Sequence, residues 1–155
     1  MGLFFGTYIN KVDRKGRVSV PSQFRAALGD ESFPGIIVYP SFTHEGVVEG
    51  CGLAFLERIA AASAAQYDVF STEQDDLNTA IYSRSHQLPW DPEGRVILPE
   101  PILAHASIAD QVAFVGLGGS FQIWQPEARK LHEAAAVARI QQNKPRLILQ
   151  RPEGR

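Results

Sequence analysis

Residues 13–28 read DRKGRVSVPSQFRAAL, and residues 91–106 read DPEGRVILPEPILAHA. At a constant offset of 78 residues, Asp13, Gly16, Arg17, Val18 and Pro21 match Asp91, Gly94, Arg95, Val96 and Pro99. These five matches at fixed spacing, all of turn, strand or helix-start types, mark an internal duplication. The Asp-x-x-Gly spacing is a tight-turn signal: the carboxylate accepts backbone N–H bonds ahead of it, and Gly takes a positive φ. The Arg-Val-Ser-Val and Arg-Val-Ile-Leu runs that follow read as short strands. Pro21 and Pro99 then stand where a helix begins, since proline is tolerated at the first helical position. Gly29 reads as the stop of the first short helix.

Outward from these motifs, each copy continues into an apolar extended pair. In the first copy the pair is Ile36–Tyr39 with Cys51–Leu56; in the second it is Val112–Val115 with Phe121–Trp124. The first copy carries a Pro/Gly-rich insertion at 40–50. Gly116-Leu117-Gly118-Gly119 lies between two apolar runs and reads as a hairpin turn. A strand follows it, whereas a phosphate-cradling loop needs a helix there. Each copy closes with an alanine-rich helix, expected at 57–67 and 126–142. Ala128, Leu131, Ala135 and Ala138 share one face of the second helix, suited either to the chain's own core or to a neighbouring chain. The acidic stretch at 68–79 reads as a solvated connector or a helix start. A unit of about 45 residues has difficulty burying a core alone. The expected fold is therefore α+β, mainly β, with both copies paired about a pseudo-twofold axis in one β core and helices at its periphery.

The chain has 155 residues, 45% hydrophobic and 21% charged, a balance that excludes a disordered polyelectrolyte. No apolar run reaches the ~18 residues of a membrane span. Residues 1–6 lack the pattern of a secretory leader, and Gly6 stands where a myristoylation signal needs Ser or Thr. A single cysteine, Cys51, excludes an internal disulfide framework and a cysteine-rich zinc site, so a cytoplasmic setting is expected. Cys51, Trp90 and Trp124 read as packing residues. His44, His86, His105 and His132 lack metal-ligand spacing. Asp13 and Asp91 invite comparison with a two-aspartate hydrolase, but the Asp-Thr/Ser-Gly triplet is absent and flanking cations keep Asp13 ionised. No enzyme, cofactor, metal or small-molecule substrate is expected.

Net charge is −2, so any polyanion site must be local. Residues 11–25 hold Lys11, Arg14, Lys15, Arg17 and Arg25 against Asp13, a balance of +4. Residues 91–106 hold Arg95 against Asp91, Glu93 and Glu100, a balance of −2. Arg14 and Lys15 occupy a turn tip where the second copy has Pro92 and Glu93. Cations on such a tip can release phosphate counterions from DNA; a solvated hairpin with ordinary surface charges is the competing reading. Asp13 and Asp91 are expected to be structural, with Gly16 and Gly94, and to hold Arg17 and Arg95. The first copy is expected to touch DNA and the second chiefly to complete the fold. Residues 129–155 add a further +5, read as a helix surface and frayed tail or as an auxiliary phosphate contact.

The two Asp-x-x-x-Arg motifs, each leading into Val-x-(Val/Leu)-Pro and a short helix, resemble those of the bacterial MraZ family. Phe5-Gly6-Thr7-Tyr8, Val115-Gly116 and Phe121-Gln122-Ile123-Trp124 fit the same pattern. The resemblance runs from about Phe5 to about Ala138. It implies two AbrB-like swapped-hairpin repeats, placed here at 7–54 and 83–126, with a C-terminal helix and basic tail at 127–155. It implies a cytoplasmic, nucleoid-associated transcriptional regulator, often a repressor. The expected partners are double-stranded promoter DNA carrying direct repeats, upstream of the division and cell-wall gene cluster, and further copies of the chain in a ring, commonly octameric. The expected DNA-binding residues are Lys11, Arg14, Lys15, Arg17, Arg25 and Arg95. The rival readings are an interaction module of antitoxin type, to which an acidic tail would be better suited than this basic one, and a purely structural ring.

Overall fold

Each Asp-x-x-Gly turn separates two short strands, and the chain repeats this unit around a common core. The computed structural model describes residues 2–152, so Met1 and the last three tail residues, Arg155 included, lie outside the described residues. The first half contains β1 (Thr7–Lys11), β2 (Arg17–Ser19), α1 (Ser22–Leu28), β3 (Gly35–Pro40), β4 (Val48–Cys51) and α2 (Leu53–Gln66). A further helix, α3 (Thr72–Ile81), leads to the second half: β5 (His86–Pro89), β6 (Arg95–Ile97), α4 (Glu100–His105), β7 (Gln111–Gly116), β8 (Phe121–Trp124) and α5 (Pro126–Asn143). The result is an α+β fold.

The halves exchange strands. A six-stranded antiparallel sheet runs β1-β7-β8-β4-β3-β5, and β2 pairs with β6 in a separate two-stranded ribbon. β1 of the first half thus pairs with β7 of the second, and β5 of the second with β3 of the first. Exchanging β1 with β5, β7 with β3 and β8 with β4 leaves the strand order unchanged. The register obeys the same exchange. Val18 faces Val96, its own counterpart, in the ribbon, and Glu49 faces Gln122 in the sheet. These two pairs mark where the pseudo-twofold axis passes.

One hydrophobic core serves both halves. Phe24 of α1 and its counterpart Ile102 of α4 are fully buried in it, with Val18 and Val96 of the ribbon. Phe24 meets Phe4 edge-on at 5.2 Å and Phe121 at 5.0 Å between ring centroids. The sheet's other face carries smaller clusters. α2 and α3 cover Ile37, Tyr39 and Cys51, with Leu56 and Ile81 closing the contact. Beside α5 lie Val47, Ala113, Val115 and Trp124.

Several elements differ from the sequence reading. β4 begins inside the 40–50 insertion and ends at Cys51, and the rest of the Cys51–Leu56 run, read as extended, opens α2 instead. Leu53 and Leu56 are spaced for one helical face, and Gly52 caps the helix in an extended conformation. Pro21 and Pro99 stand one residue before their helices, as N-caps; Pro21 O accepts from the N–H of Phe24 and Arg25. The acidic connector holds α3, whose cap was written in Ser71-Thr72-Glu73-Gln74: Ser71 Oγ accepts from Gln74 N at 3.2 Å. The small-residue stripe of α5 is exposed. The half-buried side of that helix is Arg129, His132 and Ala136.

Candidate nucleic-acid interface

The two turns are built alike. In the first, Gly16 N–H donates to Asp13 O (3.0 Å) and Asp13 N–H to Arg17 O (3.0 Å). Asp13 Oδ1 accepts from the backbone N–H of Lys15 and of Arg17, both at 2.9 Å, and Oδ2 accepts from Arg17 Nε at 2.7 Å. In the second, Asp91 Oδ1 accepts from Glu93 N (2.9 Å) and Arg95 N (3.0 Å), and Oδ2 from Arg95 Nε (2.9 Å). Gly16 and Gly94 close the turns at φ of 81° and 78°, the left-handed region that glycine enters without strain.

These contacts set the electrostatics. The backbone N–H of Arg17, then its guanidinium, hold the Asp13 carboxyl below the usual range against partial desolvation. Arg95 does the same for Asp91. Arg95 is itself pushed up, first by its hydrogen bond to Asp91, with Glu93 and Asp13 adding to the effect. The influence of Asp13 on Arg95 reflects how closely the two turns approach across the ribbon.

Strand alternation decides where the arginines point. In the β2–β6 ribbon, Arg17 faces Ile97 and Ser19 faces Arg95, while Val18 and Val96 turn into the core. Arg17, Ser19, Arg95 and Ile97 therefore share one outward face. Each arginine is pinned through Nε. Among the described residues neither makes a hydrogen bond through its terminal nitrogens, and both side chains are about one-third exposed. Such a side-on carboxylate contact leaves the outer edge of the guanidinium for an acceptor from outside.

The other expected residues surround this face. Arg14 and Lys15 are exposed at the first tip, and Lys11 is exposed at the end of β1. Asn10 Nδ2 donates to Ser19 O at 2.8 Å, tying β1 to the ribbon. Arg25 is half-buried. Its Nε donates to Val20 O at 3.2 Å, and its guanidinium lies across the second turn, where a Cβ on Gly94 would come within 2.6 Å of Cζ. It braces one half against the other, a role invisible in a count of cations. Its counterpart position holds Leu103.

The sequence reading missed one cluster. His44 and His132 lie 5.4 Å apart between ring centroids, and His132 lies 4.8 Å from Trp124, joining the β3–β4 loop to α5. Burial, then Arg129, push the His132 pKa down. No repeated motif or fixed spacing links positions 44 and 132, so only the tertiary fold reveals the pair. Among the described residues no three His, Cys, Asp or Glu side chains gather as a metal site, and no helix is long and apolar enough to cross a membrane.

A duplicated, strand-exchanged α+β core bearing carboxylate-pinned arginines on a rim ribbon is the class these observations define. The profile of one protein family, described as MraZ protein with a likeness to antitoxins, matches residues 81–148. The chain is 45% identical over 137 residues to the Transcriptional regulator MraZ of Rickettsia bellii (strain OSU 85-389), covering 88% of this chain and 90% of that protein. It is 43% identical over 140 residues to the namesake from Rickettsia canadensis (strain McKiel), covering 89% and 93%. It is 42% identical over 136 residues to that of Rickettsia akari (strain Hartford), covering 88% and 90%. The chain belongs to the MraZ family. These relatives are named as regulators, not as enzymes.

Proposed function

We propose that this chain is a transcriptional repressor that binds double-stranded DNA in a sequence-specific manner. The ribbon face carries the reading: Arg17 and Arg95 stand on it in fixed poses, with the exposed cations Arg14 and Lys15 at the adjoining tip. The names of its relatives support the regulatory part. A pinned guanidinium can fork onto a phosphate or a guanine edge without first losing rotamer freedom. Lys11, Arg14, Lys15 and Arg17 supply the main phosphate contacts, Arg95 adds one from the second half, and Arg25 acts from beside the second turn. Asp13, Asp91, Gly16 and Gly94 are scaffold.

In this reading residues 7–54 and 83–126 are AbrB-like repeats, and 127–155 form a helix and basic tail. One tip with a few cations binds weakly. A ring of copies, octameric by family resemblance, presents successive tips to successive DNA repeats and gains from effective concentration. Cyclic symmetry suits direct repeats better than a palindrome. The targets are promoter repeats upstream of the division and cell-wall genes, and the working place is the cytoplasmic nucleoid.

The test is a titration onto the DNA upstream of the protein's own gene at several salt concentrations. Wild-type protein binds tightly with a steep salt dependence. The R14A/K15A variant binds more weakly, its log–log slope shallower by about 0.9 for each phosphate that is no longer neutralised. Equal affinity of the wild type for random DNA overturns the sequence-specific reading.

A further inference from the structure

The most exposed large apolar side chains of the described residues lie in two places. On the corner between α2 and α3, Val69 is 70% and Phe70 93% exposed. On the C-terminal arm, Leu131 of α5 is 76% exposed, and Leu147, Ile148 and Leu149 beyond it are 92%, 82% and 92% exposed. Every other large apolar side chain among the described residues is 59% exposed or less. An isolated exposed leucine is ordinary, but apolar side chains gathered at two sites mark contact surfaces.

The two places carry opposite charge. The corner holds Asp68, Glu73, Asp75 and Asp76, with no Lys, Arg or His from Ile59 to Ser83. The segment from Lys144 to Pro152 holds Lys144, Arg146 and Arg151 and no acid. The corner also has a depression of about 350 Å³ lined by Val69, Phe70, Ser71, Thr72, Asp75 and Asn78. An apolar triplet flanked by arginines matches a corner that presents Val69 and Phe70 beside a mainly polar depression with the Asp75 carboxylate on its wall. Within one chain both surfaces are open, so they do not cover each other.

The pseudo-symmetry points the same way. In the first half α3 covers α2, joined by Ser63 Oγ donating to Gln74 Oε1 at 2.8 Å. In the second half the chain after α5 runs on without regular structure, and α5 has no fully buried residue. We propose that the segment Arg146–Arg151 of one copy docks on the α2–α3 corner of another copy. The inference rests on the self-assembly reading above and assigns one of its contacts. Arm and corner are different surfaces, so the contact can repeat head-to-tail from copy to copy, as a closed ring requires.

The test uses the full chain in sedimentation and light scattering over a range of concentrations. The variants L147D/L149D and F70D alter fully exposed positions and keep the wild-type circular dichroism and melting curve. Each weakens self-association by about tenfold or more, as removal of an apolar anchor does at other interfaces. In a second arm, F70C copies are mixed with I148C copies under mild oxidation and give a mixed disulfide between chains. Cys51 stays silent because it is buried and its thiol is pushed up to about 12. Wild-type assembly in both aspartate variants, with no mixed disulfide, overturns the arm contact and leaves the assembly reading standing. A wild-type chain that is monomeric at every concentration overturns both. Binding of the arm to anionic vesicles, with self-association unchanged in the variants, also overturns the proposal and assigns the arm to a lipid surface.

Discussion

The turns at Asp13–Arg17 and Asp91–Arg95 share their carboxylate contacts and their left-handed glycine, yet their tips are opposites. Arg14-Lys15 at one is Pro92-Glu93 at the other. The comparison separates scaffold from chemistry: the first, fourth and fifth residues of the turn fix its shape, and the two between them fix its charge. A symmetric dimer would have to carry the same tip twice. Joining two copies in one chain lets each tip change alone while the register centred on Val18 and Val96 holds the ribbon together.

The core is where a break reaches both turns. Phe24→Ala removes a fully buried ring from the shared core and destabilises the fold by about 3–5 kcal/mol, read by urea denaturation. Trimming its counterpart, Ile102→Val, costs about 1 kcal/mol. Next comes the ribbon. Arg17→Ala weakens DNA binding about a hundredfold in a filter or anisotropy titration, the scale of one bidentate pairing. Arg95→Ala weakens it less, because Glu93 stands 3.6 Å from Arg95 Nε and competes with phosphate. Equal effects of the two variants would show that the tips do not distinguish the halves.

Glycine substitution sharpens the comparison further. A Cβ at Gly16 would meet the carbonyl oxygen of Leu98 at 2.9 Å, whereas one at Gly94 meets the end of the Arg25 side chain. Both Ala variants bear about 1–2 kcal/mol of left-handed strain. Gly16→Ala melts lower than Gly94→Ala because backbone cannot step aside and an arginine end can. A smaller change is expected from Glu93→Lys, which gives the second tip a cation and steepens the salt slope by about 0.9. Smallest is the acid response. Both aspartates have folded pKa values below their unfolded ones, so their contribution is complete above about pH 4 and is lost as pH falls through the lowered values. Acid titrations of Asp13→Asn and Asp91→Asn each lose that dependence to the same small extent, since the turns are alike where the tips are not.

Local chemistry was legible in the sequence. The turn-closing glycines and the aspartate–arginine pairing depend on residues within five positions of each other, and the duplication shows as the same local pattern written twice, 78 residues apart. The α+β class followed from short branched runs and alanine-rich helices. What the sequence did not reveal depends on distant partners. Arg25 looked like one more cation because Gly94, on which it lies, is far away in the chain. Arg95 looked like a lone charge in an acidic half, yet pairing of β2 with β6 brings it beside Arg17. β4 was hidden in the insertion, since Val48-Glu49-Gly50-Cys51 is too short and too polar to stand out. The assignment of Arg14, Lys15 and Arg17 to DNA came from charge density and resemblance, and geometry adds their common exposure.

Strand exchange also governs how the molecule can be divided. Each half lends its first strand to the other's sheet, so neither can be excised as a working fragment. A nick at residues 68–71, outside both sheet and core, would leave two pieces that mutually template their folding. They would separate only when the whole structure melts, as a single cooperative event.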